Sequence, residues 1–141
     1  MTPEQIALVQ VSFERIGPDL PAMTRRFYQE LFSRDPSLRP LFTTDPAVQE
    51  VRFAEKLTEI VRTMPRLGDL LDVTRELGAR HVGYGVRVPY YQTVADALLA
   101  ALAAALGDAF DQATREAWVV GYNLVAETML EGAAWERRVS S

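Results

Sequence analysis

Proline and glycine cut this chain into segments. Inside each segment the apolar residues recur three or four positions apart, and no alternating run marks a strand. A helix buries one face at a period of 3.6 residues and a strand at a period of two, so this punctuation points to helices throughout. Thr2-Pro3-Glu4-Gln5 is a start signal: Thr2 caps, Pro3 takes the first helical position, and Gln5 closes a T-x-x-Q capping box. Ile6, Val9, Phe13 and Ile16 follow at helical spacing until Gly17-Pro18 stops the run. A second helix, starting near Pro18 to Pro21, carries Leu20, Met23, Phe27, Tyr28 and Leu31, and Pro36 opens a short one with Leu38, Leu41 and Phe42.

Asp45-Pro46 starts the next helix, in which Gln49, Phe53 and Leu57 are spaced by four and share a face. After the break at Pro65 to Gly68, Leu70, Leu71, Leu77 and His81 lie on a helix that ends in the pair Gly83 and Gly85. Pro89 opens a long alanine- and leucine-rich helix to about Leu106, with Val94, Leu98 and Leu102 inward. A last helix runs from about Asp111 to Trp135, with Trp118, Tyr122, Val125 and Met129 spaced for burial. The expectation is about seven helices with short connections in one all-α domain, residues 1–141.

Composition narrows the function. Fifteen basic against nineteen acidic residues leave a net charge of −4, which does not supply the basic face of a nucleic-acid binder. No cysteine is present, so disulfides, thiolate chemistry and iron–sulfur clusters are excluded together. The N-terminus has no basic-then-apolar leader pattern. The apolar run from Ala95 to Leu106 is interrupted by Asp96 and too short to span a bilayer. These features predict a cytoplasmic protein that partners neither membrane nor nucleic acid. The lone Gly83-Tyr84-Gly85 follows a helix rather than a strand and is not a dinucleotide loop.

His81 is the only histidine, and with cysteine absent it is the one residue able to offer a transition metal a nitrogen or sulfur ligand. It falls on the apolar side of its helix, one turn after Leu77. The Leu77 carbonyl can accept Nδ1–H, which fixes the tautomer and leaves Nε2 free to ligate. Leu77 and Val86 flank it with apolar surface suited to a flat hydrophobic cofactor.

The helix order, together with Leu-Gly-Ala-Arg-His-Val-Gly-Tyr-Gly-Val from Leu77 to Val86, resembles the globins. It resembles most the bacterial single-domain globins related to the globin half of flavohaemoglobins, over roughly Thr2 to Trp135. The resemblance implies a three-over-three helical sandwich holding haem b, with His81 as the proximal iron ligand. It implies that Phe42, at the end of Pro40-Leu41-Phe42, stacks on the haem. Tyr28 and Gln49 become the distal polar pair, Phe53 the apolar residue over the iron, and Tyr91 a proximal tyrosine beside His81. The joint spacing carries it: phenylalanine 14 residues after Tyr28, glutamine 7 later, histidine 32 beyond that.

Two positions depart from the family. Phe53 is bulkier than the expected leucine and should narrow the space above the iron. The glutamate that the family places near the end of the last helix, supporting the proximal tyrosine and histidine, falls in register on Trp135, with Glu131 one turn away.

One histidine excludes a bis-histidine iron from this chain alone, so the iron is expected pentacoordinate or weakly blocked. Tyr28 and Gln49 are donors worth about 1–3 kcal/mol each to a polar diatomic ligand in a dry site. The resemblance thus implies O₂ and NO as ligands and NO dioxygenation to nitrate as the reaction, with electrons from a separate reductase. A non-enzymatic O₂ carrier, store or diatomic-gas sensor is the alternative. The oligomeric state stays open between monomer and homodimer.

Overall fold

The computed structural model describes residues 1–42, 44–83 and 90–140, with residues 67, 78, 80–83 and 131–140 described in backbone only. Its helices are α1 (Pro3–Ile16), α2 (Leu20–Arg34), α3 (Pro46–Thr63), α4 (Leu67–Gly83), α5 (Tyr90–Leu106) and α6 (Gln112–Ser140). Short 3-10 turns at Gly17–Asp19, Pro36–Leu41 and Gly107–Ala109 lie between them. There is no strand among the described residues, as the periodicity predicts.

The start signals act as read. Thr2 and Gln5 form the reciprocal capping box at 3.1 and 2.9 Å, Asp45 accepts from the Ala47 amide at 2.8 Å, and Asp111 accepts from the Thr114 amide at 2.8 Å. Two bonds to Thr114, from its backbone and its side chain, hold the Asp111 carboxyl below the usual carboxylate range.

The expected short seventh helix is instead the 3-10 turn Pro36–Leu41. Six residues with Pro40 inside cannot build an α-helical ladder, because Pro40 has no N–H to donate. The last helix continues past Trp135 to Ser140. The apolar stretch around α5 is also longer than the sequence count from Ala95 suggests. Tyr90–Ala109 covers 20 residues at a mean hydropathy of 1.2, enough by length and composition to cross a membrane. In the fold α5 packs on α2, α1 and α6, burying Ala95, Ala97, Leu98, Ala101 and Leu102.

The most extensive pairings are α4 with α6 and α2 with α5, with α1 laid on α6 and α3 on α2. Ala97, Ala101 and Ala117 are fully buried, and these small residues let helix backbones approach closely around Val9, Ile16, Leu31, Leu70 and Leu102. Each fully buried leucine or isoleucine contributes roughly 1.5–3 kcal/mol by leaving water.

Polar atoms inside this core are satisfied mostly within their own helix. Ser12, Thr24, Thr63, Thr74 and Thr128 are buried, and each hydroxyl donates to a carbonyl three or four residues earlier. Other side-chain bonds cross between helices. The Trp118 indole N–H donates to the Ser12 hydroxyl at 2.8 Å, the Gln10 amide to the Val61 carbonyl at 3.2 Å, and the Tyr122 hydroxyl to the Tyr91 carbonyl.

Candidate functional site

Tyr28 lies mid-way along α2 and is 9% exposed. Four phenyl rings surround its phenol. Phe27 meets it edge-on at 5.0 Å between centroids, Phe42 at 5.6 Å and Phe53 at 5.8 Å, and Phe32 lies near-parallel at 6.0 Å. Phe27 and Phe53 lie flat against each other, 4.3 Å apart with 12° between their planes. Phe42 also meets Phe32 edge-on at 5.4 Å, and the Arg39 guanidinium caps the Phe32 ring at 4.8 Å. Such geometries are worth roughly 0.5–1.5 kcal/mol per pair beyond burial, so the rings hold one another and the phenol in place.

Local structure explains this convergence. Phe27, Tyr28 and Leu31 are buried on the core face of α2, with Phe32 half-buried one turn after Tyr28. The 3-10 turn Pro36–Leu41 reverses the chain and delivers Phe42, whose amide is held by the Arg39 carbonyl at 3.0 Å. The Asp45 cap fixes the first turn of α3, where the Gln49 amide donates to the Asp45 carbonyl at 3.0 Å. One turn later comes Phe53.

Burial pushes the Tyr28 hydroxyl up to about 12. The Gln49 side chain, within hydrogen-bonding reach, offsets part of this, and the negative charge of Glu50 adds to it. The phenol is therefore a neutral O–H donor throughout the physiological range.

His81 stands on α4 two residues before its end at Gly83. Its side chain lies outside the described residues, and so does the bond expected from its Nδ1 to the Leu77 carbonyl. Leu77 is half-buried against the core. Val86 lies outside the described residues, as do the side chains of Glu131 and Trp135. Tyr91 is the second residue of α5, half-buried, and its carbonyl accepts the Tyr122 hydroxyl. Burial raises the Tyr122 phenol well above its ordinary range, with Tyr91 and Asp96 adding to it.

The structure thus brings Tyr28, Phe42, Gln49 and Phe53 together on α2, α3 and the turn between them. Sequence reading passed over two contributors to this group and one bond elsewhere. Phe32 and the Phe27 stack were within reach of helical spacing, since Phe32 follows Tyr28 by four. The Tyr122 bond spans 31 residues and has no local signal.

A family model described as Globin matches residues 25–129. The flavohemoprotein of Vibrio cholerae is 27% identical over 98% of this chain and 36% of its own length, and that of Bordetella pertussis 28% identical over 92% and 33%. The chain therefore spans about a third of the length of these relatives. Neuroglobin-1 of Oncorhynchus mykiss is 26% identical over 95% of this chain and 93% of its own. Among solved structures, a hexacoordinated heme protein from an anhydrobiotic tardigrade superposes with a TM-score of 0.85 at 18% identity, covering 95% of this chain and 96% of that one.

Proposed function

The chain belongs to the globin family, and from that premise we propose that residues 1–141 form one haem-binding globin domain that takes O₂ and NO. The observation that carries this reading is a phenol donor in a wall of aromatic rings, with an amide in reach of it, in a chain whose one imidazole sits on a separate helix. The donor set suits haem b: an apolar wall for a flat macrocycle, one neutral nitrogen ligand, and two neutral hydrogen-bond donors. When bound, haem supplies reversible binding of diatomic ligands and one-electron chemistry at its iron.

The chain's own residues divide the remaining work. His81 would hold the haem iron through its imidazole, with Leu77, Val86 and Tyr91 as the residues that would line that side. Phe42 and Phe53 would give the macrocycle an apolar wall and keep water from it. Tyr28 O–H and the Gln49 amide donate to a polar ligand, and in a dry site each such bond is worth about 1–3 kcal/mol. Two donors slow ligand release, which favours chemistry on the ligand over its delivery. With a single histidine, a second imidazole for iron cannot come from the same chain.

The reaction that fits is NO dioxygenation, NO plus O₂ to nitrate, with electrons from a separate reductase in the cytoplasm. The likeness to flavohemoproteins supports it. The similar likeness to neuroglobins along nearly their whole length supports a second reading as a non-catalytic carrier, store or sensor of diatomic ligands.

Absorption spectra of the ferric, ferrous and O₂-exposed protein test the haem reading. A Soret band is expected in the wild type and should be lost in His81→Ala; a band that survives in His81→Ala overturns it. Sustained nitrate formation with a cellular reductase fraction is expected of the enzyme. A single stoichiometric turnover leaves the carrier.

A further inference from the structure

Exposed apolar side chains and charged ones line up along the outer side of α3. Val48 and Val51 are exposed near its start. Glu55, Glu59 and Arg62 follow, all exposed. Arg66 comes just past the helix end, its amide held by the Thr63 carbonyl at 2.8 Å. The steps along this series are 3, 4, 4, 3 and 4 residues, so the side chains form one stripe. At about 100° per residue, Gln49 and Phe53 fall on a different side of the helix. The stripe is thus separate from the ring cluster around Tyr28.

Glu55, Glu59, Arg62 and Arg66 all border one shallow groove of about 470 Å³, together with Ala54 and with Leu20 at the start of α2. The order of the charges matters: two carboxylates come first and two guanidinium groups second. Glu55 and Arg62 make no ion pair among the described residues. Glu59 is paired with Lys56 at 2.8 Å, and Arg66 with Asp69 at 2.7 Å. Those pairs are exposed, and exposed pairs exchange partners at little cost.

Laid beside its own copy in the same direction, the stripe sets glutamate against glutamate and arginine against arginine. Turned end for end, it sets Glu55 against Arg66 and Glu59 against Arg62, since both pairings are centred between Ile60 and Val61. A twofold axis at that point repeats each pairing, which is the self-complementarity an isologous contact requires. Two chains that each carry a net charge of −4 repel one another. This stripe is balanced in charge, so copies can approach there.

We infer that the outer face of α3 is a docking surface for a second copy of this chain. The two α3 helices run antiparallel, with Glu55 and Glu59 of one copy facing Arg66 and Arg62 of the other. The charges set direction and register. Leu20, Ala54, Val48 and Val51 supply the apolar area that leaves water. The inference is independent of the haem reading.

Sedimentation equilibrium of the whole chain tests it. The wild type is expected to approach twice the chain mass as its concentration rises to about 1 mM. Its dimer dissociation constant should rise about tenfold between about 0.05 and 0.5 M salt, because screening weakens exposed charges. Glu55→Arg combined with Glu59→Arg leaves four like charges in a row and should raise that constant by more than about tenfold. A chain that stays monomeric at the highest concentration overturns the inference. So does a dimer that this double substitution leaves as tight as the wild type.

Direction has its own test. The chain has no cysteine, so an introduced thiol is unique. Glu55→Cys and Arg66→Cys chains, mixed and mildly oxidised, should join to each other and not to themselves. Antiparallel helices hold the two copies of residue 55 roughly 16 Å apart at 1.5 Å per residue, beyond the reach of a disulfide. Like chains joining as readily as unlike ones overturn the antiparallel contact.

Discussion

Phe53 on α3 lies flat on Phe27 of α2, and both present a face or an edge to Tyr28. Bulk at Phe53, where the related globins would suggest leucine, is thus matched by a ring placed to receive it. Phe53→Leu removes the stack and leaves a gap beside Tyr28. A stability loss of about 1–2 kcal/mol is expected by urea unfolding. If that loss is absent, the stack contributes nothing to the α2–α3 contact.

Tyr28→Phe keeps the ring and its four aromatic neighbours and removes only the hydroxyl. The O₂ dissociation rate, measured by stopped-flow displacement with CO, is expected to rise about tenfold or more, since about 1.4 kcal/mol corresponds to a factor of ten. An unchanged rate would remove Tyr28 from the distal role.

The raised phenol also makes a pH prediction. The folded state holds the Tyr28 proton more tightly than the unfolded chain, whose phenol titrates near 10. The associated stability is fully present below about 10 and is lost as pH rises through about 12. The gap between the two corresponds to about 3 kcal/mol. Urea midpoints should therefore be flat from neutral pH to about 9 and fall steeply above 10, less steeply in Tyr28→Phe. The O₂ off-rate should not change between pH 6 and about 9. A titration of that rate near neutrality would rule out the buried phenol as its controlling donor.

Trp118 and Ser12 tie α6 to α1 through a fully enclosed bond. Ser12→Ala leaves the indole N–H buried without an acceptor and is expected to cost about 1–3 kcal/mol. Combining it with Trp118→Phe should cost less than the two single changes added together, because the second removes the donor that the first strands. Strict additivity in denaturant unfolding would contradict the bond.

Gly121 on α6 faces the ends of two flexible side chains. A Cβ there would stand 3.0 Å from Met1 Cε and 3.3 Å from Met64 Cε. Methionine termini can swing aside, and alanine is favoured over glycine in a helix by about 1 kcal/mol. Gly121→Ala is expected to leave stability within about 1 kcal/mol of wild type in thermal unfolding, and Gly121→Leu to lose more than about 2 kcal/mol by overpacking.

Much of this architecture is written locally. Capping boxes and prolines act within four residues, so the starts of α1, α3 and α6 are legible from Thr2, Asp45 and Asp111. The group around Tyr28 is partly legible for a similar reason. Gln49 and Phe53 share a face of α3, and the joint spacing of Tyr28, Phe42, Gln49 and His81 resembles that of a known family. The turn Pro36–Leu41 resembles a helix start because Pro36 fits one; Pro40 is what denies the α-helical ladder. The limits of α5 are legible from Pro89 and Gly107, but its apolar stretch reaches further than the run from Ala95 shows, because Asp96 interrupts the apolar residues. The bond that Tyr122 makes could not be read. Periodicity marks the residue for burial, and the hydroxyl's acceptor is a backbone atom on another helix, which no side-chain pattern encodes.

The buried hydroxyls carry one further consequence. Since Ser12, Thr24, Thr63, Thr74 and Thr128 each spend their proton on their own helix, the interior asks almost no polar complementarity of neighbouring helices. One helix can slide or exchange its apolar side chains against another without stranding a donor. A core built this way drifts freely in sequence while its outline persists, so variation should accumulate at the apolar contacts and be resisted at the few bonds that leave their helix.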